Sequence, residues 1–366
     1  MNYVLMGILV LICSATLAKN GVDLHGLDGS RAQKLLQTYT AQIQAIETPI
    51  IEVFLNLNEG HFDAPHYECL VTKKKKLLAT IQREGRFAFV DLQTVYYQDK
   101  TIYTTLEVIE DPQSERMRFV TKPAHPIWND LKIWRNRAYR RLLRRQDLIG
   151  KMQEYDRLVM QLSITHQLDH DGNDCPAYHC LAAFHHPSLA PYWDVFQQGV
   201  AKEKPLILST LRNEPDPDRR AAAAFLVGHF SDPKEIVAVL STCISDAASQ
   251  VRNNALRVIA LTLFKAHLND VDSMPFIKLL DSPFVTDRNK ALSVLLGLAD
   301  NKTNKQQMIR YGGQKIVDLL HLSQPDNHDV AYALLKKISN QSFGEHQFAQ
   351  WKTWMTHAQG HNDAFR

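Results

Sequence analysis

Four times in the second half of the chain, a short polar break is followed by a helix-forming run with the same small residue in the same place. After Pro215-Asp216-Pro217 comes Asp218 to Leu226, and after Asp246 to Ser249 comes Gln250 to Leu256. After Pro283 to Thr286 comes Asp287 to Leu292, and after Pro325 to Asn327 comes His328 to Leu334. Aligned, the runs share Ala223, Ala255, Ala291 and Ala333. Arg220, Arg252 and Arg288 stand three residues earlier, with Val330 departing in the last copy. A small side chain at a shared position lets two helices approach closely. Apolar residues such as Leu256, Ile259, Ala260 and Leu263 then supply a stripe at three- and four-residue steps. Unequal spacing between the alanines fits helical pairs joined by loops of variable length.

The run Val251-Arg252-Asn253-Asn254-Ala255-Leu256 resembles the second helix of a HEAT repeat. On that resemblance four repeats run from about Lys202 to Ser339, in an α-solenoid assigned to residues 201–345. The tail Phe343-Gly344-Glu345 followed by Trp351 to Trp354 resembles the closing segment of bacterial HEAT-repeat proteins, and a capping helix is expected at 346–358. A solenoid end exposes its core unless it is sealed. The repeated arginines Arg220, Arg252 and Arg288 could form a ligand-binding row. The favoured expectation is that each pairs with the break aspartate or carbonyls of a neighbouring repeat, because a position set by repeat geometry recurs first for packing.

A separate α+β module is expected at residues 30–120. Leu35 to Ile46 has helical spacing, Pro49 should end that helix, and Ile50 to Leu57 reads as a strand. Ala64 to Arg83 reads as a helix. Gly85 to Val95 and Thr101 to Glu110 alternate as a hairpin around Gln98-Asp99-Lys100. The order β-α-α-β-β, with Gly85-Arg86-Phe87-Ala88-Phe89-Val90 and the ending Leu106 to Glu110, resembles a POTRA domain. The resemblance implies docking of a partner's extended segment on an open strand edge, with Phe87, Phe89, Val90, Tyr103 and Leu106 as its residues. A module that only packs on the helical repeats is the alternative.

Residues 121–200 read as a connector. Between Leu131 and Lys151, the cations Lys132, Arg135, Arg137, Arg140, Arg141, Arg144, Arg145 and Lys151 meet one acid, Asp147. Such a basic amphipathic helix either joins two modules or contacts an anionic membrane surface peripherally through residues 131–151. Further on, His170, Cys175, His179, Cys180 and His185 are capable metal ligands, but Cys-x4-Cys matches no common zinc finger. A Cys175–Cys180 disulfide is the simpler expectation, with a metal site or free thiols as alternatives.

Val4 to Ile12 is an apolar run too short to span a bilayer, and Thr16 and Ala18 fit a cleavage site. Residues 1–18 therefore read as a signal peptide, and Ile12 is too large for Cys13 to be a lipidation site. Export implies a periplasmic, disulfide-permissive compartment. The net charge of +3 gives no sign of a nucleic-acid binder. The functional expectation is a non-catalytic periplasmic scaffold or adaptor for envelope proteins, without cofactor, metal or catalytic residues. A metal-dependent hydrolase using His170 to His186, or a membrane-surface protein held by the arginine-rich stretch, are the alternatives.

Overall fold

The computed structural model describes residues 20–56, 63–97, 101–120, 147–165, 167–168 and 174–363. The signal-peptide segment 1–18, the turn residues 98–100, the basic stretch 131–146 and His170 lie outside the described residues. The described residues are mostly helical and include one three-stranded sheet.

The module comprises β1 (Asn20–His25), α1 (Gly29–Asn56), α2 (Ala64–Gly85), β2 (Phe89–Tyr96) and β3 (Ile102–Ile109). Its order is β-α-α-β-β, as named for the module, but its first strand and first helix are not where the residues were read to place them. Ile50 to Leu57 was expected to be a strand, whereas α1 continues through Pro49 to Asn56. A proline inside a helix loses a hydrogen bond and clashes with the preceding turn, at a cost of about 3 kcal/mol. The buried residues Ile43, Ile46, Ile50 and Val53 recur at helical spacing, and their burial together outweighs that cost. The first strand lies instead at Asn20–His25, so the module begins earlier than residue 30.

The sheet has the order β1-β3-β2, with β3 central, parallel to β1 and antiparallel to β2. Side chains alternate between its faces. Val22, Leu24, Val90, Leu92, Leu106 and Val108 join the core formed with α1 and α2. Asp23, His25, Phe89, Gln93 and Glu107 point the other way, toward the helical region.

That region begins at α3 (Leu148–Ile164) and continues through α4 (Ala190–Asn213), α5 (Pro217–Val227), α6 (Pro233–Ser241), α7 (Ser249–Ala266), α8 (Met274–Leu279) and α9 (Val285–Leu298). Helix α10 (Lys302–Gln307) passes through a π-turn, Met308–Gly312, into α11 (Gly313–Leu320), and α12 (Pro325–Ser339) and α13 (Phe348–Asp363) follow. Helices α3, α5, α7, α9 and α12 pack successively in one row. A second row lies against it: α4 on α5, α6 on α7, α8 on α9, and α11 on α12. One apolar core runs from Leu148 to Met355. The connector boundary at residue 200 is therefore too late, because α3 and α4 belong to the stack. Asp147, with extended backbone, caps α3 by accepting from the Gly150 amide. Of the expected helix 131–151, the described residues are helical from Leu148 onward.

The breaks start helices by ordinary capping. Asp216 accepts from Asp218 N, Asp232 from Lys234 N and Asn301 from Thr303 N, and Pro217 and Pro233 occupy first-turn positions where no donor is lost. Ala223, Ala255 and Ala291 are fully buried between rows. In the last unit the fully buried alanine is Ala331 rather than Ala333. That register puts His328, not Val330, at the position of the repeated arginine, and Asn327 at the position of Asp287.

Candidate binding site

The repeated arginines are spent on the fold. Each guanidinium donates to its own break's carbonyls and then pairs with a carboxylate from elsewhere. Arg220 donates to Glu214 O and, through two nitrogens at 2.8 Å, to Asp246. Arg252 donates to Asp246 O and Ala247 O and pairs at 2.7 Å with Asp287, both side chains buried. Arg288 donates to Ser282 O and is fully buried, and Asn327, which stands in the next unit where Asp287 does in this one, has no charge to pair with it. The missing carboxylate comes from the sheet: Glu107 of β3, also fully buried, pairs with Arg288.

Glu107 is the centre of the junction between module and helices. Its other oxygen lies 2.9 Å from His25 Nδ1 and 3.2 Å from an Arg116 nitrogen. Burial alone would raise its pKa, but Arg288 first and then His25 hold the carboxyl below its ordinary range. Around it the sheet caps helices that lack their own caps. Gln93 donates to Pro283 O and accepts from Val285 N, the first amide of α9. Tyr97 OH accepts from the Gln324 side chain at 2.8 Å and from Asp326 N at the start of α12, while Asp23 takes the amide and hydroxyl of Ser323.

These contacts correct the strand-edge residues. Tyr103 and Leu106 lie on the central strand β3, whose backbone is paired on both sides. Phe87 precedes β2 and is buried in the module core. Phe89 and Val90 do lie on edge strand β2, but Phe89 packs edge-on against Phe284 and Val90 against the module core. On the same strand Lys74 of α2 donates to Leu92 O. Hence β2 is engaged from both its faces, and the module packs on the helical repeats.

Cys175 and Cys180 form a disulfide with Cα atoms 5.6 Å apart, which leaves neither sulfur for a metal or a nucleophile. Their loop is pinned to the first row: Lys265 of α7 donates to Cys175 O and Ala177 O, and Tyr178 N to Gly228 O. His179 is buried, with its ring stacked on Phe225 at 5.0 Å. Burial, reinforced by Arg257, pushes its pKa well down. Among the described residues, neither His179 nor His185 belongs to a group of three side chains close enough to hold a metal ion.

His229 lies 5.2 Å from the Phe196 ring, and its Nδ1 has no partner among the described residues. Burial lowers its pKa to about 4. The unfolded chain binds this proton near pH 6.5, so the neutral ring's contribution is complete above that value and is lost as pH falls toward 4. Asp91, raised to about 6 by burial, acts in the opposite direction over the same range. The clean comparison is therefore between variants. His229→Phe should reduce the loss of stability over this interval by about 1.4 kcal/mol per pH unit, as measured by urea midpoints.

A different set of charges is held without ion pairs among the described residues, Arg257 lying over the Phe225 ring at 5.8 Å. Arg257 of α7, Lys290 of α9 and Asp156 of α3 have no ion pair within 4.0 Å among the described residues, and all are half-buried. Burial lowers the pKa of Arg257, and Asp156 and Asp326 act against this from the two sides. Burial, then the Arg257 charge, lowers that of Lys290, with Asp326 opposing. Burial raises that of Asp156, with Arg257 opposing. Along the row the order is acid, base, base, acid. Beside Lys290, Asn289 is 5% exposed, with Oδ1 lacking a partner among the described residues. On α7, Leu261 and Phe264 follow Arg257 at four and seven residues, on the same helix face, and are 39% and 51% exposed. Unpaired, half-buried charge costs stability and is characteristic of sites that hold a ligand.

The sequence reading passed over these residues. The available signal was substitution within the repeat: Arg257 stands where other units have Phe225 and Ser293, and Lys290 where they have Ala222 and Asn254. Comparison of the chain with protein-family models, curated proteins and solved structures returns no match.

Proposed function

We propose that the chain is a non-catalytic scaffold that holds an acidic segment of a protein partner on the first row of a HEAT-type solenoid. The observation that carries this reading is the pair Arg257 and Lys290, which make no ion pair among the described residues, flanked by Asp156 and Asp326 and by the exposed apolar residues Leu261 and Phe264. An acidic side chain of the partner would satisfy both cations in a poorly hydrated place, where charge-assisted hydrogen bonds are strong. Leu261 and Phe264 would take its apolar neighbours. The alternating two-row packing and the ladder of arginines support the HEAT reading. The order β-α-α-β-β, with both helices on one sheet face, supports the POTRA-like reading of the module. In this account the module orients the last units of the solenoid rather than docking a strand.

The Cys175–Cys180 disulfide and the apolar run at Val4 to Ile12 support export to a periplasmic compartment. Charge reversal tests the site. Recovery of envelope partners with the tagged protein from its native host should drop about tenfold or more in Arg257→Glu/Lys290→Glu. A surface control, Arg212→Glu, should leave it unchanged. Equal recovery in all three would remove the basis for the site.

A further inference from the structure

We propose that His328, Glu345 and His346 form a binding site for a zinc-type divalent transition-metal ion, fastening α12 to the segment that leads into the capping helix α13. His328 occupies the position that carries arginine in three other units, and there an imidazole can do what a guanidinium cannot, namely ligate a metal. Its Nδ1 lies 2.7 Å from Leu320 O, and a carbonyl only accepts, so that nitrogen carries the proton. The lone pair is thereby left on Nε2, the nitrogen that faces Glu345 Oε2 at 3.9 Å. A backbone carbonyl that fixes the ring and tautomer of a ligating histidine is the usual outer-shell arrangement of such sites.

His346 Nε2 lies 3.5 Å from the other Glu345 oxygen, and one ligand atom from each of the three residues falls within 4.8 Å of the others. Ligands at about 2.0–2.1 Å around a tetrahedral zinc stand roughly 3.3 Å apart, so small side-chain rotations close the site. Two imidazoles and one carboxylate select zinc, cobalt, nickel or copper over magnesium or calcium. His346 is 70% exposed, which leaves a fourth position open to water.

The ion would have a mechanical role. Gly344, just before the pair, accepts the indole N–H of Trp351 at 2.9 Å. Holding Glu345 and His346 against His328 therefore holds the segment that seats the cap's main anchor.

The test uses the full chain, untagged and stripped by chelator, titrated calorimetrically with zinc chloride. Wild type should take up one equivalent and gain in thermal midpoint. His346→Ala and Glu345→Gln alter exposed side chains and should fold normally, with zinc affinity reduced about tenfold or more and no gain in midpoint. With cobalt(II), wild type should give the intense visible absorption of a tetrahedral site and His346→Ala should not. Equal zinc titrations for wild type and both variants, or no stoichiometric uptake by wild type, would overturn the proposal.

Discussion

Glu107→Gln is expected to destabilise the protein by about 3–5 kcal/mol, the cost of leaving a buried charge without its partner. Both members of the Arg288–Glu107 pair are fully buried, and Arg288 already has an unpartnered Nε among the described residues. A glutamine keeps the shape of the side chain but supplies no charge. Arg116 and His25 lose the same partner, so the whole junction relaxes. Urea unfolding followed by circular dichroism measures the loss. The double variant Glu107→Leu/Arg288→Met should recover part of it, because an apolar pair needs no compensation, while Arg116 and His25 still lack the carboxylate. A single-variant loss below about 1 kcal/mol would mean that water reaches the pair and that the module is not docked as described. The pair also has a definite pH dependence. The carboxyl's folded pKa is depressed, so its contribution is complete above the unfolded value and disappears as pH falls through the folded one.

Trp351→Ala should cost about 3–5 kcal/mol, the range for removing a large aromatic side chain from a core. Trp351 is fully buried at the closed end of the stack. Its ring meets Phe343 and Tyr332 edge-on at 5.1 and 6.1 Å, and its N–H is satisfied by Gly344 O. Removing it opens a cavity and frees that carbonyl together. Because stacked repeats are coupled mainly to their neighbours, the damage should concentrate in α11 to α13. Hydrogen exchange should show those helices losing protection while α5 to α7 retain theirs. Uniform loss along the whole stack would show that the end unit is not an independent cap.

Much of the helical region was readable because its signals are local. A proline or aspartate in a break, a shared alanine six to nine residues on and an apolar stripe suffice to place α5, α7 and α9. The fourth unit was misaligned by two residues because Ala331 and Ala333 are both small, and only burial distinguishes them. Pro49 misled for a physical reason, since a β-branched run after proline reads as a strand until its residues are seen on one helix face. Strand β1 escaped notice because Val22 and Leu24 are its only strongly apolar residues, and its identity depends on pairing with β3. The junction is non-local altogether. Still, the exchange of Asp287 for Asn327 in the next unit hinted that Arg288 would need a carboxylate from outside the repeats. Arg257 and Lys290 were visible only as departures from the repeat, which carry meaning once the neighbouring charges are placed.

The most direct test of the binding account is a photo-crosslinking amino acid at Leu261, on the helix face that carries Arg257, with Ala238 of α6 in the second row as the control position. In the native host, Leu261 should capture a defined partner segment rich in acidic residues, Ala238 should not, and the product should disappear when Arg257 and Lys290 are reversed to glutamate. Equal capture at both positions, or a product indifferent to the charge reversal, would contradict the claim that the first row is where a partner binds.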